Sequence, residues 1–354
     1  MRTAIVGAGS LGTIIGAFIS KAGRDVHLID SNREHVGALN EHGATVTGSI
    51  GFSAPVTAFT PDSVSGFYDL IFLLTKQTQT QETLSLLQKH LHSESTVCTL
   101  QNGIPELLVE KIVGKSRTVG GAVGFGATWL RPGVSSLTSS TEALEKSAFE
   151  IGEIDGVERP RLALIKEYLE CVGSTKILTN LMGIRYSKLL MNATFSGMSA
   201  ALGCTFGEVL QHPQAMTCLA FIADECIKVA HAQTIRLVPM QGENLEHFEL
   251  GSALDIPNKI PLYQKIWSQH VALKASMLQD LEKGRSTEVD YINGVVCRQG
   301  RQHGIATPFN DKVVEIISSA QRQKTLTSFG NLQQFNGLLE RHAAALPSAA
   351  AWVA

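Results

Sequence analysis

The sequence predicts an α/β N-terminal domain, built on a doubly wound and mainly parallel sheet, followed by an all-α C-terminal domain. Up to about residue 180, short runs rich in β-branched and aliphatic residues alternate with helical stretches. Beyond that point the β-rich runs vanish and long helical periods replace them. With 354 residues, 44% hydrophobic and 18% charged, the chain has apolar material for two cores. Disorder, a collagen-like fibre and a small disulfide scaffold are excluded on the same figures.

In chain order, strands are expected at 3–6, 26–29, 70–74, 95–99 and 118–121. Each is apolar and bounded by Gly, Asp or Ser, as suits a sheet covered on both faces. Residues 44–59 alternate and contain Gly48 and Gly51, which suggests a hairpin insertion. Residues 127–137, with Pro132-Gly133 near the centre, read as a second one. Helical periods occupy 184–202, 215–232, 266–281, 287–303 and 311–321, with a final helix at 330–339. Pro213, the stretch 238–261, Gly284, Gly304 and Pro308 punctuate them. The expected organisation is a first domain over 1–180, a helical domain over 181–342 and an Ala/Pro/Ser tail over 343–354 that reads as mobile.

Thirty Lys plus Arg against 32 Asp plus Glu leave a net charge of -2, so no electrostatic excess draws the chain to nucleic acid or an anionic membrane. The partner expected is a small molecule. Cys98, Cys171, Cys204, Cys218, Cys226 and Cys297 are scattered, with no C-x-x-C pair and no zinc-finger spacing. This favours structural thiols in a reducing cytoplasm and no metal. The N-terminal run through Phe18 superficially copies a secretory signal, but Gly7, Gly9, Gly12 and Gly16 break it into a strand and a glycine turn. No other segment reaches the roughly 18 apolar residues that a membrane helix needs.

Gly7-Ala8-Gly9-Ser10-Leu11-Gly12 comes directly after the first strand and opens a helix. In that context the glycines permit a tight turn, and free N–H groups at the helix start face a pyrophosphate. This is the fingerprint of a Rossmann domain binding a dinucleotide. Asp30 ends the second strand, 18 residues beyond Gly12. A carboxylate there accepts hydrogen bonds from ribose hydroxyls and repels a 2′-phosphate, which favours NADH over NADPH. The competing reading makes Asp30 a helix cap and leaves Arg33 free to meet a phosphate.

In the second domain, Lys188 and Asn192 lie four apart and share a helix face with Ser196 and Ser199. The stripe is either a reactive face or a snorkelling lysine on a solvated one. The segment Arg285-Ser286-Thr287-Glu288-Val289-Asp290-Tyr291-Ile292-Asn293-Gly294 adds context. Joined to the glycine motif, Thr75-Lys76, Gln101-Asn102-Gly103 and Lys188-Leu-Leu-Met-Asn192, it resembles the ketopantoate reductase (2-dehydropantoate 2-reductase) family. The likeness runs from Met1 to about Gln321, and the T-E-x-D-Y-I-N-G element is its most specific part.

The resemblance implies a Rossmann domain and a helical domain that together take NAD(P)H, with NADPH the common family cofactor, and a 2-oxo acid. It makes Lys188 the general acid and Glu288 its partner at substrate and cofactor. Asn102 would touch the nicotinamide ribose and the substrate. Asn192 and Ser276 would bind substrate, Ser196 would join them, and Lys76 and Ala127 would line the cofactor site. A homodimer is left open. Independently of the name, hydride addition turns a carbonyl oxygen into an alkoxide that needs a positioned proton donor, and an ammonium group is one. On the bare sequence Glu288 equally suits a first-turn acid behind a Thr287 or Ser286 cap.

Two departures stand out. Ser196 occupies a position where the family often has a second Asn, and Phe206 precedes Gly207-Glu208 where some members place an Asn. Both imply a less polar pocket, although Phe206 also fits core packing. With Asp30 they resemble the NADH-dependent D-2-hydroxy acid dehydrogenases of the same family, which prefer branched or aromatic 2-oxo acids. Three functions rank in order: ketopantoate reduction to (R)-pantoate, reduction of such other oxo acids, and a non-catalytic nucleotide-sensing module. An intact set of Lys188, Asn192, Ser276 and Glu288 argues against the last.

Overall fold

A computed structural model describes residues 1–240 and 242–343. The chain divides into two compact units, the first Met1–Leu181 and the second from Met182 onward. Residues 344–354, most of the expected tail, lie outside the described residues.

The first unit holds an eight-stranded sheet formed by β1 (Thr3–Val6), β2 (His27–Ile29), β5 (Thr57–Phe59), β6 (Tyr68–Leu73), β7 (Leu91–Thr99), β8 (Thr118–Val123), β11 (Phe149–Gly152) and β12 (Thr175–Ile177). Their order is β12-β11-β8-β7-β6-β1-β2-β5. All neighbours are parallel except β8 and β11. Ile5 aligns with Leu28 on one side and Phe72 on the other, and all three are fully buried. Strands covered on both faces need apolar residues at successive positions, which is why β1 reads Thr-Ala-Ile-Val with every residue buried. Helices α1 (Ser10–Lys21), α2 (Arg33–His42), α3 (Thr80–Leu87), α4 (Glu106–Val113), α5 (Thr141–Ser147) and α6 (Pro160–Leu169) complete the unit.

The two hairpins exist, but they do not stand alone. Strands β3 (Ala44–Gly48), β4 (Phe52–Ala54), β9 (Ala127–Arg131) and β10 (Val134–Leu137) form a second sheet, ordered β4-β3-β10-β9, through parallel pairing of β3 with β10. Residues 57–59, expected to end the first hairpin, instead extend the main sheet beside β2. Asn40 holds this edge strand by donating to Ala58 O and accepting from Ala58 N, as a neighbouring strand would. The second sheet packs on α1, so that helix is buried nearly all round, from Gly12 to Ala17 without interruption. Strands β11 and β12 lie outside the expected set. Both are short, and their pairing partners are distant in sequence.

In the second unit, α10 (Pro213–Ala232) is buried along most of its length and packs against several neighbours. The other helices are α7 (Leu181–Met191), α8 (Gly197–Leu202), α9 (Phe206–Gln211), α11 (Ile256–Trp267), α12 (Ser276–Glu282), α13 (Asn293–His303), α14 (Pro308–Gln323) and α15 (Asn336–Ala343). Four expected helices are corrected, one of them the final helix expected at 330–339, which is a 3₁₀ stretch over Phe329–Phe335 that runs into α15. The helix expected at 184–202 is interrupted by a π turn over Asn192–Ser196. The one expected at 266–281 is two helices, because Val271 O and Leu273 O accept from Gly207 N and Phe206 N at the start of α9 and are unavailable for helical bonds. The one expected at 287–303 begins only at Asn293, after a 3₁₀ turn over Val289–Tyr291 and a non-helical Ile292 with φ -111° and ψ -90°.

Candidate active site

In the first unit the predicted residues gather by topology. Strands β7, β6, β1 and β2 are adjacent in that order, and the loops after them carry Asn102, Lys76, the glycine turn and Asp30. The chain leaves β1 toward β2 and later returns on its other side with β6, so the turn sits at a topological switch point, where open α/β sheets bind ligands. Gly7 has φ +92° and its N–H donates to Ile29 O at 2.9 Å. A Cβ on Gly7 would lie 2.5 Å from Thr75 N, and one on Gly12 would lie 2.3 Å from Gly7 O. These two positions therefore exclude any side chain.

Gly9 differs. It is the N-cap of α1, no side chain caps that end, and a Cβ on it would meet no protein atom within 4 Å. Open space beside uncapped N–H groups, with Ala8, Ser10 and Leu11 completing the turn, fits the phosphates of a dinucleotide. The turn is braced from behind. Thr13 Oγ1 donates to Ala8 O at 2.6 Å, and buried His35 bonds the same oxygen through Nε2 at 2.7 Å. Because Gly133 N donates to His35 Nδ1 at 2.9 Å, the proton on this ring sits on Nε2, and the ring ties the turn to the β9–β10 hairpin. Sequence reasoning missed His35; its position three residues after an Asn cap carried no signal.

Asp30 does not cap α2. Asn32 does, accepting from Glu34 N and His35 N, while Asp30 Oδ1 accepts from Asn32 N at 2.9 Å. Nor is Arg33 unpaired, since its guanidinium meets Asp62 at 2.8 Å on the surface. The Thr60 hydroxyl and then Arg33 hold the Asp62 carboxyl below the usual carboxylate range. The Arg33–Asp62 pair lies in the wall of a surface depression also lined by Ser31, Thr60, Leu86 and Lys89.

Lys76 and Asn102 are both half-buried. Gln101, given no role of its own within its sequence motif, fixes their surroundings: its Nε2 donates to Thr75 O at 2.7 Å and Thr80 Oγ1 at 2.9 Å, and its Oε1 accepts from Thr99 Oγ1 at 3.0 Å. Gln77 Nε2 donates to Asn102 O. Ala127 belongs to the second sheet, where it is paired with Leu137.

In the second unit, Lys188, Asn192 and Ser196 are half-exposed, as are Met182 and Met191, on a helix and π turn whose other residues are buried. Ser199 is not part of that stripe. It is fully buried, donating to Cys204 O and accepting from Ala275 N at 3.2 Å. Ser276 is the exposed first residue of α12, whose helix packs on the π turn and α8. Glu288 precedes a 3₁₀ turn over Val289–Tyr291, five residues short of α13, and so is not a first-turn acid of that helix. Phe206 resolves toward packing: it is 9% exposed, 5.7 Å from the Phe195 ring, which stacks on Trp267 at 4.5 Å. Glu208 and Thr205 close a reciprocal cap at the start of α9.

None of the six cysteines is in a disulfide; five are buried and Cys171 is half-buried. Among the described residues no helix is long and apolar enough to cross a membrane.

Comparison with known proteins bears on both units. Residues 3–155 match the family described as Ketopantoate reductase PanE/ApbA, and residues 180–321 match Ketopantoate reductase PanE/ApbA C terminal. The 2-dehydropantoate 2-reductase of Lactococcus lactis subsp. lactis (strain IL1403) is 29% identical over 328 residues, covering 91% of this chain and 98% of its own. That of Streptococcus pyogenes serotype M18 (strain MGAS8232) is 25% identical over 323 residues, with shares of 91% and 98%. Among solved structures, D-mandelate dehydrogenase with NADH and anilino(oxo)acetate is 27% identical, covers 92% of this chain and 99% of its own, and has a TM-score of 0.77. With the glycine turn at its switch point, the lysine-bearing helix, and matches to both halves of one family, the chain belongs to the ketopantoate reductase family.

Proposed function

We propose that this protein reduces a 2-oxo acid with a nicotinamide cofactor, and that the oxo acid is 2-dehydropantoate, giving (R)-pantoate. The chain is an NAD(P)-dependent oxidoreductase of the 2-dehydropantoate 2-reductase type. The observation that carries the reading is the half-exposed polar row of Lys188, Asn192 and Ser196 on a mostly buried helix, in a chain whose other unit has an uncapped glycine turn.

Gly7, Ala8, Gly9, Ser10, Leu11 and Gly12 hold the cofactor phosphates, Asp30 the adenosine ribose, and Lys76, Asn102, Ala127 and Glu288 the remainder. When bound, the reduced nicotinamide supplies a hydride. Lys188 gives its Nζ proton to the oxygen that becomes the alcohol, lowering the cost of developing negative charge. Glu288 orients that ammonium. Asn192, Ser276 and Asn102 hold the substrate carboxylate and carbonyl, and Ser196 meets the distal hydroxyl. Asp30, with Arg33 engaged by Asp62, favours NADH.

A second reading, reduction of an aromatic or branched 2-oxo acid, is supported by the likeness to D-mandelate dehydrogenase with NADH. Phe206 lends it little, being packed in the core. Initial rates with NADH and NADPH against a panel of 2-oxo acids, including 2-dehydropantoate and its deoxy analogue 2-oxo-3,3-dimethylbutyrate, test both. The expected result is the highest kcat/KM with 2-dehydropantoate. A higher value for phenylglyoxylate would select the second reading, and no turnover of any oxo acid would defeat both.

A further inference from the structure

The turn that carries Asn192 and Ser196 is held in its unusual geometry by residues that take no part in the reaction. Gly197 N–H reaches back to Asn192 O and Thr194 O, whereas α geometry would pair it with Ala193 O. Side chains serve carbonyls around this turn instead. Thr194 Oγ1 donates to Leu190 O at 2.7 Å, and Asn293 Nδ2, one hundred residues on, donates to Ala193 O at 3.0 Å.

Asn293 is itself one link of a directional chain. Its Nδ2 also donates to Asn310 Oδ1 at 2.9 Å. Asn310 Nδ2 donates to Glu225 Oε2 at 2.7 Å and to Ile222 O at 3.2 Å. The Glu225 carboxylate further accepts Phe309 N and Asn310 N, each at 2.9 Å, at the start of α14. A backbone carbonyl such as Ile222 O only accepts, so Asn310 must turn its NH₂ toward Ile222 O and Glu225 and its oxygen toward Asn293. Asn293 must then turn its NH₂ toward Asn310 and Ala193 O. Its own Oδ1 has no hydrogen-bond partner among the described residues and faces Gly197, where a Cβ would stand 2.9 Å away. A buried amide oxygen left unpaired is costly, and here it accompanies two donors that are both used. Asn293 and Asn310 are fully buried, and Glu225 is 6% exposed.

We infer that Asn293, backed by Asn310 and Glu225, is a positioning residue that fixes the π turn and hence the directions in which Asn192 and Ser196 leave the helix. The inference rests on the reading that those two side chains meet the oxo acid. Slipping one residue back into α geometry rotates the downstream residues by about 100° around the helix axis, enough to carry Ser196 off the face it shares with Lys188.

The test compares wild type with Asn293→Ala and with Asn293→Asp, which keeps the size but loses both donors. Substrate KM, kcat, cofactor Kd and amide hydrogen exchange are measured on the folded proteins. Both variants should raise KM for the preferred 2-oxo acid about tenfold or more, with kcat falling much less and cofactor Kd unchanged. Exchange over 193–198 should speed about tenfold or more while the middle of α10 is unaffected. A merely structural residue would lower the melting temperature and leave KM where it was. Unchanged KM overturns the inference, whether or not exchange changes. Should both variants fail to fold, Gly197→Ala, whose methyl presses on Asn293 and removes no donor, is held to the same outcomes. If the wild type turns over no oxo acid, the functional reading falls, and exchange alone decides: local acceleration over 193–198 supports the positioning role and its absence overturns it.

Discussion

Gly9→Ala separates a glycine kept for the fold from one kept for a ligand. In the protein alone the added methyl meets nothing within 4 Å, and Gly9 has an ordinary negative φ of -63°. The folding cost is that of a poorer N-cap, about 0.5–1 kcal/mol. A bound pyrophosphate changes the account, because its oxygens must come within hydrogen-bond distance of the N–H groups beside that methyl. Losing one charge-assisted hydrogen bond, worth about 1.5–3 kcal/mol, should weaken cofactor binding by about 10- to 150-fold. Gly12→Ala is the contrast: its methyl would lie 2.3 Å from Gly7 O, so it should lower the melting temperature as well as affinity. The assay is NADH and NADPH titration by nucleotide fluorescence, with thermal melts of the same samples. Gly9→Ala binding either nucleotide within twofold of wild type would refute the reasoning that the open space belongs to phosphates.

Three further outcomes are expected. Lys188→Ala should lower kcat by about 100-fold or more with cofactor Kd intact, and an unchanged kcat would remove Lys188 from the chemistry. NADH should be preferred over NADPH in kcat/KM, with Asp30→Ser narrowing the gap and Asp62→Asn, which releases Arg33, narrowing it further; a wild-type preference for NADPH would count against Asp30 as discriminator. Glu225 provides a pH signature: burial raises its carboxyl to about 7 against three N–H donors that oppose the shift. The folded state therefore holds this proton where the unfolded chain, with an ordinary value near 4.5, has lost it, so Glu225's contribution to stability falls as pH rises from about 4.5 to 7 and is flat above. Melting curves of wild type and Glu225→Gln should differ in slope across that window, and parallel slopes would contradict the shift.

What could be read from residue order alone was whatever depends on near neighbours. Short apolar runs bounded by Gly, Asp or Ser located β1, β2, β6, β7 and β8 to within a few residues, and the glycine turn was legible because its strand, spacing and helix all lie within one short stretch. Lys188, Asn192 and Ser196 could be grouped because helical periodicity is itself a local property. Ser199 was grouped with them in error, since nothing local announces that the chain must turn at Cys204 and use that hydroxyl for Cys204 O and Ala275 N. Tertiary structure decided the rest. Pairing of β3 with β10 joined two hairpins into one sheet, because each edge had unpaired backbone groups that only the other could satisfy. The break over 271–275 arose as backbone carbonyls there found distant partners in α9. The π turn has the same origin: a helix that looks continuous in sequence is held open by an amide one hundred residues away, a contact with no signature in either segment alone.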